Sequence, residues 1–431
     1  MIAKAEREQI TALIKREVVP AIGCTEPIAV ALCVAKATET LGCKPEKIQA
    51  LLSANILKNA MGVGIPGTGM IGLPIAIALG AIVGKSEYQL EVLKDSTPEY
   101  VEEGKKLIDA QAINIGLKYG IEEKLYIEII CEAEGKKATA IISGGHTNFV
   151  YVARDEEVLL NKQTASSKEA ATEDVELTLR KVYDFATTTP VEELKFILET
   201  RNLNKQAAER SFQGNYGHQL GKTLNTKKNS NLMMGDNTFT HILSYTSAAC
   251  DARMAGAMIP VMSNSGSGNQ GITATLPVVV YAEDHNKSEE DLIRALALSH
   301  LTVIYIKQSL GRLSALCGCV VAATGSSCGI THLMGGSYEQ ITYAVKNMIA
   351  NLAGMLCDGA KPSCALKVTS GVSTAVLSAI LAMEGKCVTS VEGIIDDDVD
   401  QSIRNLTRIG SQGMNETDRV VLDIMTSKRC N

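Results

Sequence analysis

Residues 341–356, ITYAVKNMIANLAGML, and residues 365–385, ALKVTSGVSTAVLSAILAMEG, are two segments of helical length with few charged residues. Both are rich in alanine and glycine, so neither carries a wide polar face. A helix of this kind is stable only when other helices surround it. The two segments therefore predict a helical domain whose helices lie in its interior.

The same composition occurs upstream, in residues 241–259, HILSYTSAACDARMAGAMI, and residues 293–310, IRALALSHLTVIYIKQSL. From about Val175 to the end, the hydrophobic spacing is almost entirely that of helices. The turns between these segments, SNSGSGNQG, LCGCVVAATGSSCG and CDGAKPSC, contain most of the cysteines of this half of the chain. We therefore expect the chemistry to lie at the helix ends.

The middle of the chain has a different pattern. Apolar and polar residues alternate, as in half-buried strands, in three segments within residues 125–153: LYIEIICEAEG, KKATAIISGG and HTNFVYVA. The segment EEVLL is predicted to add another edge strand to the sheet. A helix is expected near residues 98–118. The predicted fold class is α+β and predominantly helical, with a large buried-helix catalytic domain and a small α/β domain that has a short, mostly antiparallel sheet.

The expected organisation has three parts, because 431 residues exceed what one hydrophobic core supports. Residues 1–84 are predicted to form an N-terminal helical segment packed on the catalytic domain. Residues 85–170 are the small α/β domain and residues 171–431 the helical catalytic domain. Residues 164–175 are predicted to be a linker or the polar start of a helix. The uncharged stretch 59–84 contains two prolines and several glycines, which favour a glycine-rich loop and a buried helix over a membrane span.

Charge and composition exclude several classes of protein. The net charge is −6 and basic blocks are absent, so we expect no nucleic-acid partner. Charged residues interrupt the chain too regularly for a membrane permease. The start, MIAKAEREQITALIKREVVP, lacks the apolar core of a secretory signal, which predicts a cytoplasmic protein. In the cytosol, the twelve cysteines are expected to be thiols or metal ligands rather than disulfides.

Cys357 and Cys364 enclose a Gly/Pro turn between two buried helices, a placement typical of metal ligands. Cys364 lies near a helix N-terminus, where a lowered thiol pKa is expected. Of Cys317 and Cys319, we expect one ligand, because thiols separated by one residue rarely bind the same ion. Three thiolates can anchor an iron–sulfur cluster and leave one iron open. Zinc lacks its usual CxxC spacing here, and a packing role for these thiols stays an alternative.

Cys24 immediately precedes a buried helix that begins Thr25-Glu26-Pro27. The helix dipole would favour its thiolate, so Cys24 is a candidate base or nucleophile, with packing at the helix entry as the alternative. His146 is a candidate general acid or base, or else a turn residue.

Three glycine-rich loops offer backbone N–H groups that can bind a carboxylate or phosphate. They lie at residues 55–69, 143–148 and 263–271. The residues predicted to bind substrate from these loops are Asn55, Lys58, Asn59, Thr147, Asn148, Asn264, Ser265, Gly266 and Asn269.

These phrases together resemble the L-cysteine desulfidase family, which is related to the iron–sulfur-dependent L-serine dehydratases. The resemblance covers nearly the whole chain and is carried by IGCTEP, NILKNAMGVGIPGTG, SGGHTN, SNSGSGNQG, LCGCVVAATGSSCGITHLMGG and NLAGMLCDGAKPSC. It implies that Cys317, Cys357 and Cys364 ligate a [4Fe–4S] cluster and that Cys24 is the base. His146 belongs to a motif in which this chain has glycines where the dehydratases have serines, and the dehydratases space their last two cluster cysteines more widely.

The resemblance implies a β-elimination that converts L-cysteine to pyruvate, ammonia and sulfide, with L-serine as a second candidate substrate. The open iron would bind the leaving heteroatom while Cys24 removes the α-proton. The expected partner is a small amino acid, and we expect a homodimer without nucleic-acid or membrane partners. Two alternatives stay open: a pyridoxal-phosphate-dependent amino-acid lyase, and an iron–sulfur redox sensor without turnover.

Overall fold

A computed structural model describes residues 2–121, 123–162, 175–225, 234–311 and 313–427. Within these ranges the fold is α+β and predominantly helical with a small mixed sheet, as predicted. The predicted linker at residues 164–175 falls outside the described residues except for Val175. Residues 428–431 fall outside them as well.

Six strands of the described chain form one mixed sheet. Its strands are β2 (Lys47–Leu52), β3 (Ile113–Leu117), β4 (Tyr126–Ala133), β5 (Lys136–Ser143), β6 (Phe149–Arg154) and β7 (Glu157–Asn161). Their order is β3-β2-β4-β5-β6-β7, and only the β2–β3 pair is parallel. A separate antiparallel pair joins β1 (Pro20–Ile22) to β8 (Pro260–Met262).

Two of these strands differ from the sequence-based expectation. The helix expected near residues 98–118 ends at Asp109, and residues 113–117 form β3 instead. β2 arises from the segment before residue 84, where no strand was predicted, and it lies between β3 and β4. Pairing with neighbouring strands determines both, which a local hydrophobic pattern does not show.

The helices of the N-terminal third, apart from the first, share the hydrophobic core of this sheet, whereas the first packs in the larger core described below through Ile10, Leu13 and Ile14. They are α1 (Lys4–Glu17), α2 (Thr25–Leu41), α3 (Ala54–Ala60), α4 (Leu73–Ile82) and α5 (Pro98–Asp109), with a 3-10 turn at Ser86–Glu91. α2 lies against β4 and β5 and against α4, and these elements share one hydrophobic core. α4 is the buried helix expected in the uncharged stretch. The predicted domain boundary at residue 84 stays a prediction.

The remaining helices build a second, larger core. They are α6 (Leu179–Thr188), α7 (Val191–Leu194), α8 (Leu198–Gln213), α9 (Leu220–Leu224), α10 (Thr238–Met254), α11 (Gly268–Asp284), α12 (Glu289–Leu310), α13 (Gly318–Leu333), α14 (Tyr338–Leu352), α15 (Cys364–Met383), α16 (Val399–Arg408) and α17 (Asn415–Ser427), with a 3-10 turn at Lys195–Ile197 and a π turn at Ile409–Gly413. α13 is central, between α11, α12, α14 and α15. A Cβ at its Gly325 would lie 2.4 Å from the Ser299 carbonyl oxygen, so the small residue permits this close packing.

α15 is the one helix of the described residues that is long and apolar enough, by length and composition, to cross a bilayer, and half of its most apolar window is buried. Its outer face exposes Leu366, Leu377, Ile380 and Leu381, each about half accessible. Its first residue, Cys364, lies in the pocket described next. The expected homodimer stays a prediction.

Candidate active site

Four helix N-termini meet at one pocket. Cys24 occupies the N-cap of α2, Ser267 that of α11 and Cys317 that of α13, while Cys364 is the first residue of α15. All four residues line the pocket, together with Cys319 and Cys357. Because a helix N-terminus carries partial positive charge and unpaired N–H groups, this arrangement favours anions such as thiolates and carboxylates.

Backbone pairing holds Cys317 and Cys357 side by side. The Cys317 amide donates to the Met355 carbonyl at 3.0 Å, and the Cys357 amide donates to the Ala315 carbonyl at 2.7 Å. The segments that precede α13 and α15 therefore form a short antiparallel bridge. The chain then turns at Gly359, whose φ of +87° favours glycine, and reaches Cys364.

The three predicted ligands differ in acidity. The Cys319 thiol, 3.2 Å from Sγ of Cys317, donates to that sulfur and lowers the pKa of Cys317 to about 7, and nearby lysines contribute. Burial raises the pKa of Cys357 to about 11 and also raises that of Cys364. The expected lowering of the Cys364 pKa was therefore wrong, because burial outweighs the helix dipole.

Two lysines place positive charge beside the cysteine loop. Lys367 pairs with Asp358 and donates to the Leu356 carbonyl at 2.6 Å, and Lys361 pairs with the same carboxylate at 2.5 Å. The pKa of Lys367 is raised: burial acts against its charge, but the hydrogen bond and the charge of Asp358 outweigh burial. Lys367 therefore remains protonated, and the charges of both lysines favour the thiolate forms of Cys317 and Cys364.

These residues fit an iron–sulfur cluster better than a single metal ion. Within the described ranges, no three His, Cys, Asp or Glu side chains lie close enough together to hold one ion. A cubane cluster does not need such convergence, because each thiolate binds a different iron atom. Three thiols from two loops around one pocket, with adjacent cations, match that donor requirement.

Cys24 and Glu26 form a buried hydrogen-bonded pair. Sγ of Cys24 donates to Oε2 of Glu26 at 3.0 Å, and the Thr25 hydroxyl donates to the same oxygen at 3.0 Å. Asn59 Nδ2 donates to the other carboxylate oxygen at 3.0 Å. The sequence analysis did not select Glu26, although its place two residues after Cys24, in the first turn of α2, was a usable signal.

The protonation of this pair differs from the expectation. Burial, with the negative charge of Glu26, raises the pKa of Cys24 well above its usual value. Burial opposes ionisation of Glu26, but the charge of His146 and the hydrogen bond from Cys24 outweigh it, and the pKa of Glu26 is lowered. The resting proton therefore lies on sulfur. The expected resting thiolate was wrong, because the helix dipole is weaker than these two effects.

The structure brings some predicted residues into the pocket and leaves others outside. The predicted residues that line it are Cys24, Asn59, Asn269, Cys317, Cys357 and Cys364. The predicted residues that lie outside its lining are Asn55, Lys58, His146, Thr147, Asn148, Asn264, Ser265 and Gly266. His146 is nevertheless buried close enough to Glu26 for their charges to interact.

Four predicted residues of the loops 143–148 and 263–271 lie away from the pocket lining, and three of them make hydrogen bonds within the fold. Asn264 is fully buried, and its Nδ2 donates to Nδ1 of His300 at 3.0 Å, while the Ser265 hydroxyl donates to Oδ1 of Asn264. Burial lowers the pKa of His300 to about 3, so this ring is neutral. Thr147 and Asn148 lie on an exposed turn, where Asn148 donates to the Ser143 carbonyl at 2.9 Å.

Asn55 and Lys58 attach the C-terminal helix to the cysteine loop. Nζ of Lys58 pairs with Asp418 of α17 at 2.5 Å and donates to the Cys357 carbonyl at 3.3 Å. Nδ2 of Asn55 donates to the other oxygen of Asp418 at 3.0 Å. The side chain of Lys58 is 1% exposed, so the pair is shielded from solvent.

Replacing Lys58 by methionine should lower the free energy of unfolding by about 3–5 kcal/mol, because it leaves the Asp418 carboxylate buried without its partner. Denaturant unfolding measures this change. Lys44→Met is the matched control: the exposed Lys44–Glu103 pair should contribute about 0–1 kcal/mol. Equal losses in the two variants would contradict a special role for the buried pair.

The sequence matches the family model described as the serine dehydratase alpha chain over residues 87–423. A UPF0597 protein of Phocaeicola vulgatus is 81% identical over 431 residues, which is 100% of both chains. Another from Bacteroides thetaiotaomicron is 74% identical over 425 residues and 99% of both chains. A third, from Porphyromonas gingivalis, is 57% identical and covers 98% of this chain and 99% of its own.

Proposed function

The chain belongs to the family of the serine dehydratase alpha chain, and from this premise we propose that it is a β-eliminating lyase that converts L-cysteine to pyruvate, ammonia and sulfide with a [4Fe–4S] cluster. The observation that carries the proposal is that Cys317, Cys357 and Cys364 line the same pocket as the Cys24–Glu26 pair. A metal-binding donor set and a proton-transfer pair thus adjoin one space.

In this proposal Cys317, Cys357 and Cys364 hold the cluster. When bound, the cluster would supply a Lewis acid, at the iron without a cysteine ligand, for the departing sulfur atom. Lys361 and Lys367 balance the negative charge of the three thiolates. The four helix N-termini add positive potential at the same place.

Cys24 and Glu26 would handle the α-proton. The Cys24 proton moves along the existing hydrogen bond to Oε2 of Glu26 while its sulfur takes the α-proton of the substrate. The electron pair of the Cα–H bond forms the Cα=Cβ bond, and the Cβ–S bond breaks as sulfide leaves. The proton gained by Glu26 is available to the leaving group. The aminoacrylate product tautomerises to an imine, which water hydrolyses to pyruvate and ammonia.

L-Serine is the second candidate substrate, because the matching family model is described as a serine dehydratase chain. The same residues would act, with hydroxide in place of sulfide as the leaving group. A thiol is much more acidic than an alcohol, so sulfide is the better leaving group. Cys357 and Cys364 are also closer in sequence than the corresponding cysteines of the serine dehydratases, which supports L-cysteine as the preferred substrate.

The pyridoxal-phosphate alternative requires a lysine that can lose its proton to form a Schiff base. Lys367 is the lysine in the pocket lining, and its ion pair with Asp358 raises its pKa. A raised pKa keeps Lys367 protonated, whereas formation of a Schiff base requires the neutral amine. The redox-sensor alternative predicts no steady release of products.

The deciding experiment uses protein purified without oxygen and reconstituted with iron and sulfide. We expect a broad absorption band near about 400 nm, typical of an iron–sulfur protein, and steady release of equal amounts of pyruvate and sulfide from L-cysteine. L-Serine and unreconstituted protein serve as the comparison substrate and the control. A sharp band that borohydride removes would favour pyridoxal phosphate. A cluster without product release would favour the sensor.

A further inference from the structure

Arg253 is a buried cation that the sequence analysis did not select. It is the last charged residue of α10, it is 3% exposed, and it lines the same pocket as the cysteines. Its Nη1 donates to Oδ1 of Asn269 at 3.0 Å. Among the described residues, its Nε has no hydrogen-bond partner. A buried guanidinium is costly unless an anion or acceptor compensates it. Asn269 and the charge of Glu26 compensate it in part, and Nε leaves a donor for a bound anion.

The position of Arg253 depends on Gly268, the first residue of α11. A Cβ at Gly268 would lie 2.2 Å from Nε of Arg253 and 2.8 Å from its Cζ. Only glycine at position 268 leaves room for the guanidinium, so the glycine-rich loop allows the Arg253 side chain to reach the pocket. The adjacent N-terminus of α11 favours an anion at the same place.

The same pocket also contains unused acceptors. Oδ1 of Asn59 and Oε1 of Gln270 are buried and, within the described ranges, have no hydrogen-bond partner. The amide of Asn59 is oriented by its Nδ2, which donates to Oε1 of Glu26. That carboxylate oxygen has capacity for a second donor besides Asn59. These three acceptors suit a group with several N–H donors.

We propose that Arg253 binds the α-carboxylate of the substrate and that Glu26, Asn59 and Gln270 accept its α-ammonium group. The pocket would then recognise both charged ends of a zwitterionic α-amino acid. This inference rests on the proposed function for its substrate class. It goes beyond that function because it assigns the ionic groups to side chains, three of which, Glu26, Arg253 and Gln270, lie outside the predicted set.

L-Alanine and L-alaninamide test the carboxylate contact, because they share the ammonium group, lack a leaving group and differ in the carboxylate. Calorimetric titration of the reconstituted holoenzyme should give at least about tenfold tighter binding of L-alanine, the scale of one charge-assisted contact. Arg253→Met should reduce this preference to less than about twofold, and Arg253→Lys should retain part of it. Arg294→Lys, at a partly buried arginine bound to Glu290 and two backbone carbonyls, should leave the preference unchanged.

The ratio of two affinities on one variant cancels a general loss of structure, so partial misfolding of Arg253→Met does not affect the conclusion. The ammonium contact is tested likewise with L-alanine and propionate: Glu26→Gln should reduce the wild-type preference for L-alanine about tenfold or more. An unchanged preference in Arg253→Met or Glu26→Gln, or absence of L-alanine binding, would overturn the inference. Arg253-dependent binding without lyase turnover would support it while refuting the proposed function.

Discussion

Replacing Cys357 or Cys364 by serine is expected to abolish the cluster absorbance and the lyase activity together. Each residue supplies one of three thiolates, and a hydroxyl is a poor substitute because it stays protonated near neutral pH. Loss of one group that stabilises transition-state charge reduces kcat by about 10²–10³-fold. Loss of the whole cluster should reduce it at least as much. Absorbance and iron content of the reconstituted variants, with pyruvate release, measure the effect.

The control for this experiment is Cys387→Ser. Cys387 is a partly exposed cysteine whose thiol donates to the Val388 carbonyl, and it lies outside the pocket lining. It should retain the cluster and full activity. If Cys357→Ser and Cys364→Ser kept iron and absorbance at the wild-type level, these residues would be packing thiols and the cluster assignment would be wrong.

Local patterns in the sequence were sufficient to predict the helices in the second half of the chain and the position of two cysteines at helix ends. The segments 341–356 and 365–385 contain few charges, and both form helices as predicted. The expected interior position was wrong for the second, since α15 leaves an apolar outer face about half accessible. The Gly/Pro turn between Cys357 and Cys364 predicted two thiols at facing helix ends, and both line the pocket. These inferences succeed because hydrophobic spacing and turn residues act over a few positions.

The loops were harder to interpret, because their contacts join distant parts of the chain. Lys58 looked like a ligand for a substrate anion, but its partner is Asp418, 360 residues later. Asn264 looked like part of an anion-binding loop, but it is held by His300. Arg253 carried the opposite signal: it and Asp251 interrupt a segment that is otherwise poor in charge, and such residues are unusual in an interior helix unless they are paired or functional. That signal was available in the sequence.

The acidities could not be inferred from helix position alone. Cys24 and Cys364 both lie at helix N-termini, which predicts lowered pKa values. In both, burial raises the pKa instead, and for Cys24 the neighbouring carboxylate contributes. The sign depends on how much solvent the folded chain removes, which no spacing of residues in a sequence specifies. Cys317 differs because a second thiol donates to it.

Replacing Cys24 by alanine should retain the cluster absorbance and reduce turnover by about 10²–10⁴-fold, the usual contribution of a positioned base. Removal of the α-proton can be followed without a leaving group, by the exchange of the L-alanine α-proton into D2O measured by NMR. This exchange should fall with turnover. Cys33→Ala is the matched control, since Cys33 is a fully buried thiol on the same helix, outside the pocket lining. Full exchange in Cys24→Ala would refute its role as base.

The variant Glu26→Gln distinguishes the role of Glu26 from that of Cys24. The measurement is the pH dependence of the L-alanine α-proton exchange that the variant retains. The substitution removes the proton acceptor, so exchange at neutral pH should fall. It also removes the negative charge that helps to raise the pKa of Cys24, while burial continues to raise it. The Cys24 pKa should therefore move down but stay above its usual value. Residual exchange should increase as the pH rises through this pKa, because the thiolate then forms without Glu26. A residual rate independent of pH would show that Cys24 does not accept the α-proton.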